Sequence, residues 1–214
     1  MTDATTAVDE SKYTYDVKSH RFRAPNGRYV SASEVTGIRD LIIAKKVERT
    51  AELVNALYDG VIGPNAFVTA MRLEIKRTTM MQYMLGRGGA NALTQSDYGR
   101  IGQLLKTQYQ YLNNFTTQIM DGKVTRSRAI DRAGMYIDTT VGAHERAKGI
   151  AWDVDLPEYP PNHTRCLCEW TLENDGPNRI LAYWKVHSGN PCEYCENNEA
   201  MYAPLIFERG KQDA

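Results

Sequence analysis

The sequence carries no net charge: Lys and Arg total 26, and Asp and Glu total 26. A protein that coats nucleic acid or lies on an anionic membrane draws its affinity from a positive field. The balance excludes both as global activities and leaves only local contacts. Long hydrophobic runs are missing too. The longest nearly uncharged apolar stretches, such as Leu41 to Ala44, fall far short of the roughly 20 residues that cross a bilayer. The polar start MTDATTAVDESK lacks the basic-then-apolar order of a secretion signal, so a cytosolic product is expected. Gly-x-Ser-x-Gly and His-Glu-x-x-His do not occur, and no carboxylate cluster has a base or metal partner in the sequence pattern. Gly86-Arg87-Gly88-Gly89 shares only its glycine content with a phosphate-binding loop and reads as a helix connection. No catalytic or cofactor-binding residues are assigned, and the expectation is a protein that is not an enzyme.

What the chain does have is helical periodicity. At 214 residues it is long enough for one main body and a small appended module. Residues 1 to 33 read as an N-terminal arm, polar and aperiodic at first. The turn Pro25-Asn26-Gly27 then separates Arg21-Phe22-Arg23 from Arg28-Tyr29-Val30, which predicts a hairpin or an extended arm. Residues 34 to 150 carry four helical segments. The first begins after Ser33 as N-cap and buries Ile38, Leu41, Ile42, Leu53, Val54 and Leu57. The second starts at Pro64 and turns Phe67, Met71, Ile75 and Met81 or Met84 inward. The third starts near Thr94 or Ser96 and the fourth at Thr125, continuing to about Lys148. The first three end at glycine, and short connections between long amphipathic helices give a mainly α, antiparallel, bundle-like body. Gly99, Gly102, Gly134 and Gly142 fall inside helices and imply close helix approach. Asp131, Asp138 and Glu145 share a seven-residue spacing and read as one solvated or interfacial face.

Residues 151 to 214 change character. Leu156-Pro157-Glu158-Tyr159-Pro160-Pro161 reads as a rigid linker, followed by strands over 167 to 172 and 180 to 186. All four cysteines of the chain lie here, as Cys166-Leu167-Cys168 and Cys192-Glu193-Tyr194-Cys195. Two close pairs bracketing a hairpin are the arrangement of a closed structural zinc site, in which four thiolates satisfy tetrahedral zinc. Reduced cysteines packed without metal and a redox pair are the alternatives, the last disfavoured because no βαβ unit is visible. His163 is an alternative ligand, and His187 is near enough to compete with it. The resulting module is zinc-ribbon-like, with Trp152, Trp170 and Trp184 as its core aromatics.

Several strings together resemble the minor head, or head-morphogenesis, proteins of tailed phages and prophages. They are Met71-x-x-Glu74-Ile75-Lys76, Gly86-x-Gly88-Gly89, Asp97-Tyr98-Gly99-Arg100-Ile101-Gly102, Gln108-Tyr109-x-Tyr111-Leu112-x-x-Phe115 and Arg132-Ala133-x-Met135-Tyr136. Pro161, His163, Cys166 and Cys168 resemble the family's Pro-x-His-x-x-Cys-x-Cys ending. Trp184 and Cys192-x-x-Cys195 follow that ending here, whereas in Mu-type members the Cys-x-x-Cys usually precedes it. The resemblance implies a virion structural protein present in several copies, assembled in the host cytoplasm with portal or major capsid protein. The alternative is a zinc-ribbon protein that contacts packaged DNA through Lys76, Arg77, Arg87 and Arg100, a reading opposed by the acidic neighbours Glu169, Glu193, Glu196 and Glu199.

Overall fold

A computed structural model describes residues 14–16, 19, 21–160, 168–187 and 191–209. The polar start of the arm, Pro161, the candidate ligands His163 and Cys166, and Leu167 lie outside the described residues.

The N-terminal strands β1 (Thr14–Asp16) and β2 (Arg21–Arg23) pair antiparallel. The expected turn at Pro25-Asn26-Gly27 forms a second hairpin on β2. Arg23 bridges Tyr29, the Val30 amide donates to the Phe22 carbonyl at 2.7 Å, and Gly27 takes the left-handed φ of +79° that the turn demands.

The body is mainly helical, as its periodicity predicts. Helix α1 (Ala32–Tyr58) starts from Ser31 rather than Ser33. Ser31 accepts from the Glu34 amide, and the Glu34 carboxylate accepts from the Ser31 amide at 2.7 Å, a reciprocal capping box that Ser33 could not make. Helix α2 (Pro64–Arg87) runs two residues further than expected, through Gly86 and Arg87, and ends on Gly88 at φ +100°. A short 3-10 turn (Ala90–Ala92) leads to α3 (Gln95–Met120), which is capped by a second box between Thr94 and Asp97.

The predicted fourth helix is two: α4 (Arg126–Asp138) and α5 (Val141–Trp152). At the break the Thr139 and Thr140 hydroxyls bond back to the Tyr136 and Ile137 carbonyls at 3.1 and 2.6 Å. These bonds compete with the helical ladder and let the chain bend. Both halves then find partners, α4 against α1 and α5 against α2. Helix α2 is the central element, touching α1, α3 and α5, and Phe67, Met71, Ile75 and Tyr83 on it are fully buried.

The third layer is a sheet ordered β3-β4-β5, from β3 (Glu169–Asn174), β4 (Arg179–Lys185) and β5 (Leu205–Glu208), all antiparallel, with α6 (Glu193–Met201) between β4 and β5. Trp170 stands opposite Trp184, their rings edge-to-face at 5.3 Å, and Tyr202 closes on both. The stretch read as a linker is part of this core instead. Val154 and Leu156 are buried in it, and the Glu158 carbonyl accepts from the Trp170 indole at 2.9 Å. An apolar side chain beside two tryptophans gains more from burial than from spacing two units apart.

Close approach is expected at four interior glycines; at Gly134 a Cβ would meet Val47 at only an ordinary contact of 3.4 Å. Gly99 and Gly102 face open space, and nothing in the structure explains them. The tightest approach is at Gly86, where a Cβ would lie 2.2 Å from the backbone oxygen of His144. A backbone atom cannot swing aside. Gly86→Ala is therefore expected to destabilise the fold by about 1–3 kcal/mol, whereas Gly102→Ala is expected to stabilise it by about 0.5–1 kcal/mol. Urea denaturation of the two variants checks both signs.

Candidate functional site

The described half of the cysteine site is organised by α6. Cys192 is its N-cap, and Cys195 lies within the first turn, its amide donating to the Cys192 carbonyl at 2.9 Å. Cys192 is half-buried, Cys195 is buried, and their sulfurs are 3.5 Å apart. Cys168 sits immediately before β3, is buried, and belongs to the same core cluster as Cys195. The hairpin thus returns the chain from Cys168 to the helix start that holds the other pair. A helix N-terminus favours thiolate over thiol, since its amides and dipole present positive potential. Among the described residues no three His, Cys, Asp or Glu side chains form a group that could hold a metal. His187 does not turn toward the thiols: its Nε2 lies 2.8 Å from Glu169 Oε1 and the ring is half exposed.

Behind the cysteines lies a constellation the sequence pattern did not reveal. Arg39 of α1, 3 % exposed, places Nη1 2.8 Å from Glu169 of β3 and 3.6 Å from Glu145 of α5, which is fully buried. Lys148 Nζ is 2.8 Å from Glu145 Oε2 and also donates to the Trp170 carbonyl. Glu145 Oε2 accepts from the Trp170 amide at 3.0 Å, and Thr36 donates to Glu169 at 3.1 Å. Glu145 is therefore not on a face shared with Asp131, read as solvated or interfacial, but buried inside the molecule. The break at Thr139 and Thr140 resets the helical phase, leaving Asp131 exposed and turning Glu145 inward. For Arg39 a signal existed: it follows Val35 by four residues and precedes Ile42 by three, so it occupies an apolar-stripe position.

The electrostatics follow from burial and pairing. Desolvation alone would raise the Glu169 carboxyl, but Lys148, Arg39 and His187 outweigh it and hold it below its ordinary 4.5. This part of the stability is present above that ordinary value and lost as pH falls through the lowered one. His144, buried beside the network, is held well below 6.5 by burial and then by the charges of Lys148 and Arg39, so the folded protein carries it neutral. The unfolded chain takes up that proton first.

Around these groups opens a cleft of about 390 Å³, bounded by β2, the start of α1, α5 and β3, with His144, Lys148 and Glu169 in its lining.

A second buried carboxylate, Asp97, accepts from the Thr94 amide and hydroxyl at 2.8 Å each and from Tyr83 at 3.0 Å. Arg87 and Arg100 stand 3.3 Å from it. Burial and this hydrogen bond push the Tyr83 phenol up to about 12. The cluster pins the corner between α2 and α3.

Because the unfolded chain protonates His144 near 6.5 and the folded protein does not, stability is expected to fall by up to about 1.4 kcal/mol per pH unit as pH drops below that value. His144→Gln should flatten this slope between pH 6.5 and about pH 5 in urea melts, a window above that of Glu169. An unchanged slope would assign the effect to another group.

No protein-family model, curated protein or solved structure matches the chain, so its function is read from its own residues and their arrangement.

Proposed function

We propose that the chain is a structural component of a tailed-phage head, acting through protein contacts rather than catalysis, with a zinc ion closing its C-terminal module. The observation that carries the reading is where the family-like strings fall. Met71, Ile75, Leu112, Phe115, Ala133 and Tyr136 are core residues of the helical body. Gly86 is the point of closest helix approach, and Asp97 anchors the α2–α3 corner. The strings are therefore positions on which the body is built, as expected of a likeness in architecture. Their exposed members, Tyr98, Tyr111 and Met135, lie on the helices α3 and α4 and offer surface for assembly contacts. No helix among the described residues is long and apolar enough to cross a membrane.

For zinc, the support is the sulfur geometry. Tetrahedral zinc with bonds of about 2.3 Å places neighbouring thiolates about 3.8 Å apart, whereas a disulfide holds them at about 2.0 Å. The 3.5 Å between Cys192 and Cys195 lies close to the former. Those two thiolates with Cys168 and Cys166 would be the ligands, His163 being an alternative to one of the cysteines. The ion would cross-link the entry to β3 with the start of α6. The competing DNA-contact reading is weaker, since Asp97 already holds Arg87 and Arg100, two of the four cations it needs.

Protein purified anaerobically without chelators is expected to hold about one zinc per chain by atomic emission. Cys192→Ser should lose the metal and loosen the module while the helical far-ultraviolet signal of the body persists. Stoichiometric absence of metal would sink the zinc assignment. The virion assignment is checked separately: gradient-purified heads from the virus or prophage that encodes the chain should contain it, by mass spectrometry and by density in a particle reconstruction. Heads lacking it would refute that assignment whatever the metal result.

A further inference from the structure

We propose that the outer edge of β3 is a docking site for an extended, acidic segment of a partner protein, which adds to the sheet as a fourth strand inside the cleft. The sheet order leaves β3 at an edge. In an antiparallel sheet, alternate residues turn their amide and carbonyl toward opposite neighbours. The phase is visible here: the Trp170 amide donates to Glu145 and its carbonyl accepts from Lys148, both on α5, so Trp170 points away from β4. On the far side of β4 the Trp184 amide donates to the Tyr202 carbonyl, which is consistent with that phase. Leu172 and Asn174, two and four residues on, share the phase of Trp170. Where α5 supplies side chains that stand in for a strand at Trp170, it ends before it can do so for these two.

Leu172 and Asn174 line the cleft, and Phe22 and Val30 of the N-terminal hairpin line it too. At about 390 Å³ the space takes a few residues of extended chain rather than a helix. An edge with no strand beside it among the described residues, next to an apolar wall, fits the recognition mode in which main-chain hydrogen bonds supply affinity and alternate side chains supply selectivity. The wall calls for apolar residues at alternate positions. Charge sets the rest. Of the ionisable groups lining the cleft, Lys148 is matched by Glu145, Glu169 is matched by Arg39, and His144 is neutral. Arg21 lies over the Tyr29 ring at 4.5 Å and has no carboxylate partner among the described residues. One positive charge thus remains at the rim, and a carboxylate on the incoming strand answers it. This inference does not depend on the virion reading.

The test uses the full chain and a display library of random peptides of about ten residues, the upper length of an ordinary strand. Selected peptides are expected to alternate apolar residues and to carry Asp or Glu. The strongest, made synthetically with a fluorophore, should lose affinity about tenfold or more on Arg21→Glu, read by anisotropy. N-methylation of alternate peptide amides should abolish binding in one phase and spare it in the other, a signature that simple burial of side chains would not give. Phe22→Ala, which leaves the sheet untouched, should also weaken binding. Selection of no binder, or of binders indifferent to Arg21→Glu and to the phase of N-methylation, overturns the proposal.

Discussion

A guanidinium buried between two carboxylates from different parts of the chain is a costly thing to build, and most of this structure is arranged around keeping it satisfied. Arg39 loses its water, and in return Glu169, Asp40 and Glu145 surround it at 2.8, 2.8 and 3.6 Å. Removing one partner from such a group strands a buried charge, at about 3–5 kcal/mol. The group joins α1, α5 and β3, and through the Gln82 amide that donates to the Arg39 carbonyl it reaches α2 as well. It is the chief polar connection between the helical body and the sheet. The close passage of α5 over Gly86, which only a residue without a side chain permits, sets Glu145 at the right depth.

The C-terminal sheet depends on this connection. Its core is small: Trp170, Trp184, Ile180, Leu156 and a few smaller side chains. A core of this size contributes only a few kcal/mol beyond the entropy of ordering the chain, so the unit needs fastening from outside. The entry to β3 and its first two residues carry the fastenings in succession. Cys168 packs with Cys195 in the module core, Glu169 reaches Arg39, and Trp170 gives its backbone to α5 and its ring to Trp184. The two-residue alternation of a strand makes this possible, since neighbours in sequence face opposite ways. A zinc ion at the cysteines would add a fastening at this same end of the strand.

The helical body was legible because its signals are local. Pro64, the glycines at 60, 88 and 122, and the apolar stripes each act within a turn or two, and the helices begin and end close to them. The break after Asp138 was not legible. Threonine is compatible with a helix, and only the competing demands of α1 and α2 for the two halves decide that the chain bends there. That bend hid the site, because a face drawn through Asp131, Asp138 and Glu145 assumes one unbroken phase. The strands flanking the cysteines were readable from their aromatic and branched residues. The short polar helix α6 and the four residues of β5 were not, since tertiary pairing rather than propensity holds them. Arg39 could have been found, being a charge at a stripe position, but Glu145 and Glu169, the partners that tie it to the rest of the fold, lie more than a hundred residues away and leave no mark near it.

The same bend accounts for the unequal treatment of the β3 edge. An exposed edge invites pairing with other chains, and proteins commonly blunt it with charge or cover it with a helix. Here α5 does both, since Glu145 and Lys148 occupy the main-chain groups of Trp170 as a neighbouring strand would. Yet α5 ends at Trp152, and Asp153 turns the chain away in the left-handed conformation at φ +56°. Had the fourth segment remained one straight helix, α5 could not have lain on α2, and Glu145 would not have met Trp170. Cover at one residue and openness at the next two outward-facing ones therefore share a cause. Where the cover stops, Lys148, Arg21 and the apolar wall of the hairpin surround an edge whose hydrogen-bonding groups still point outward.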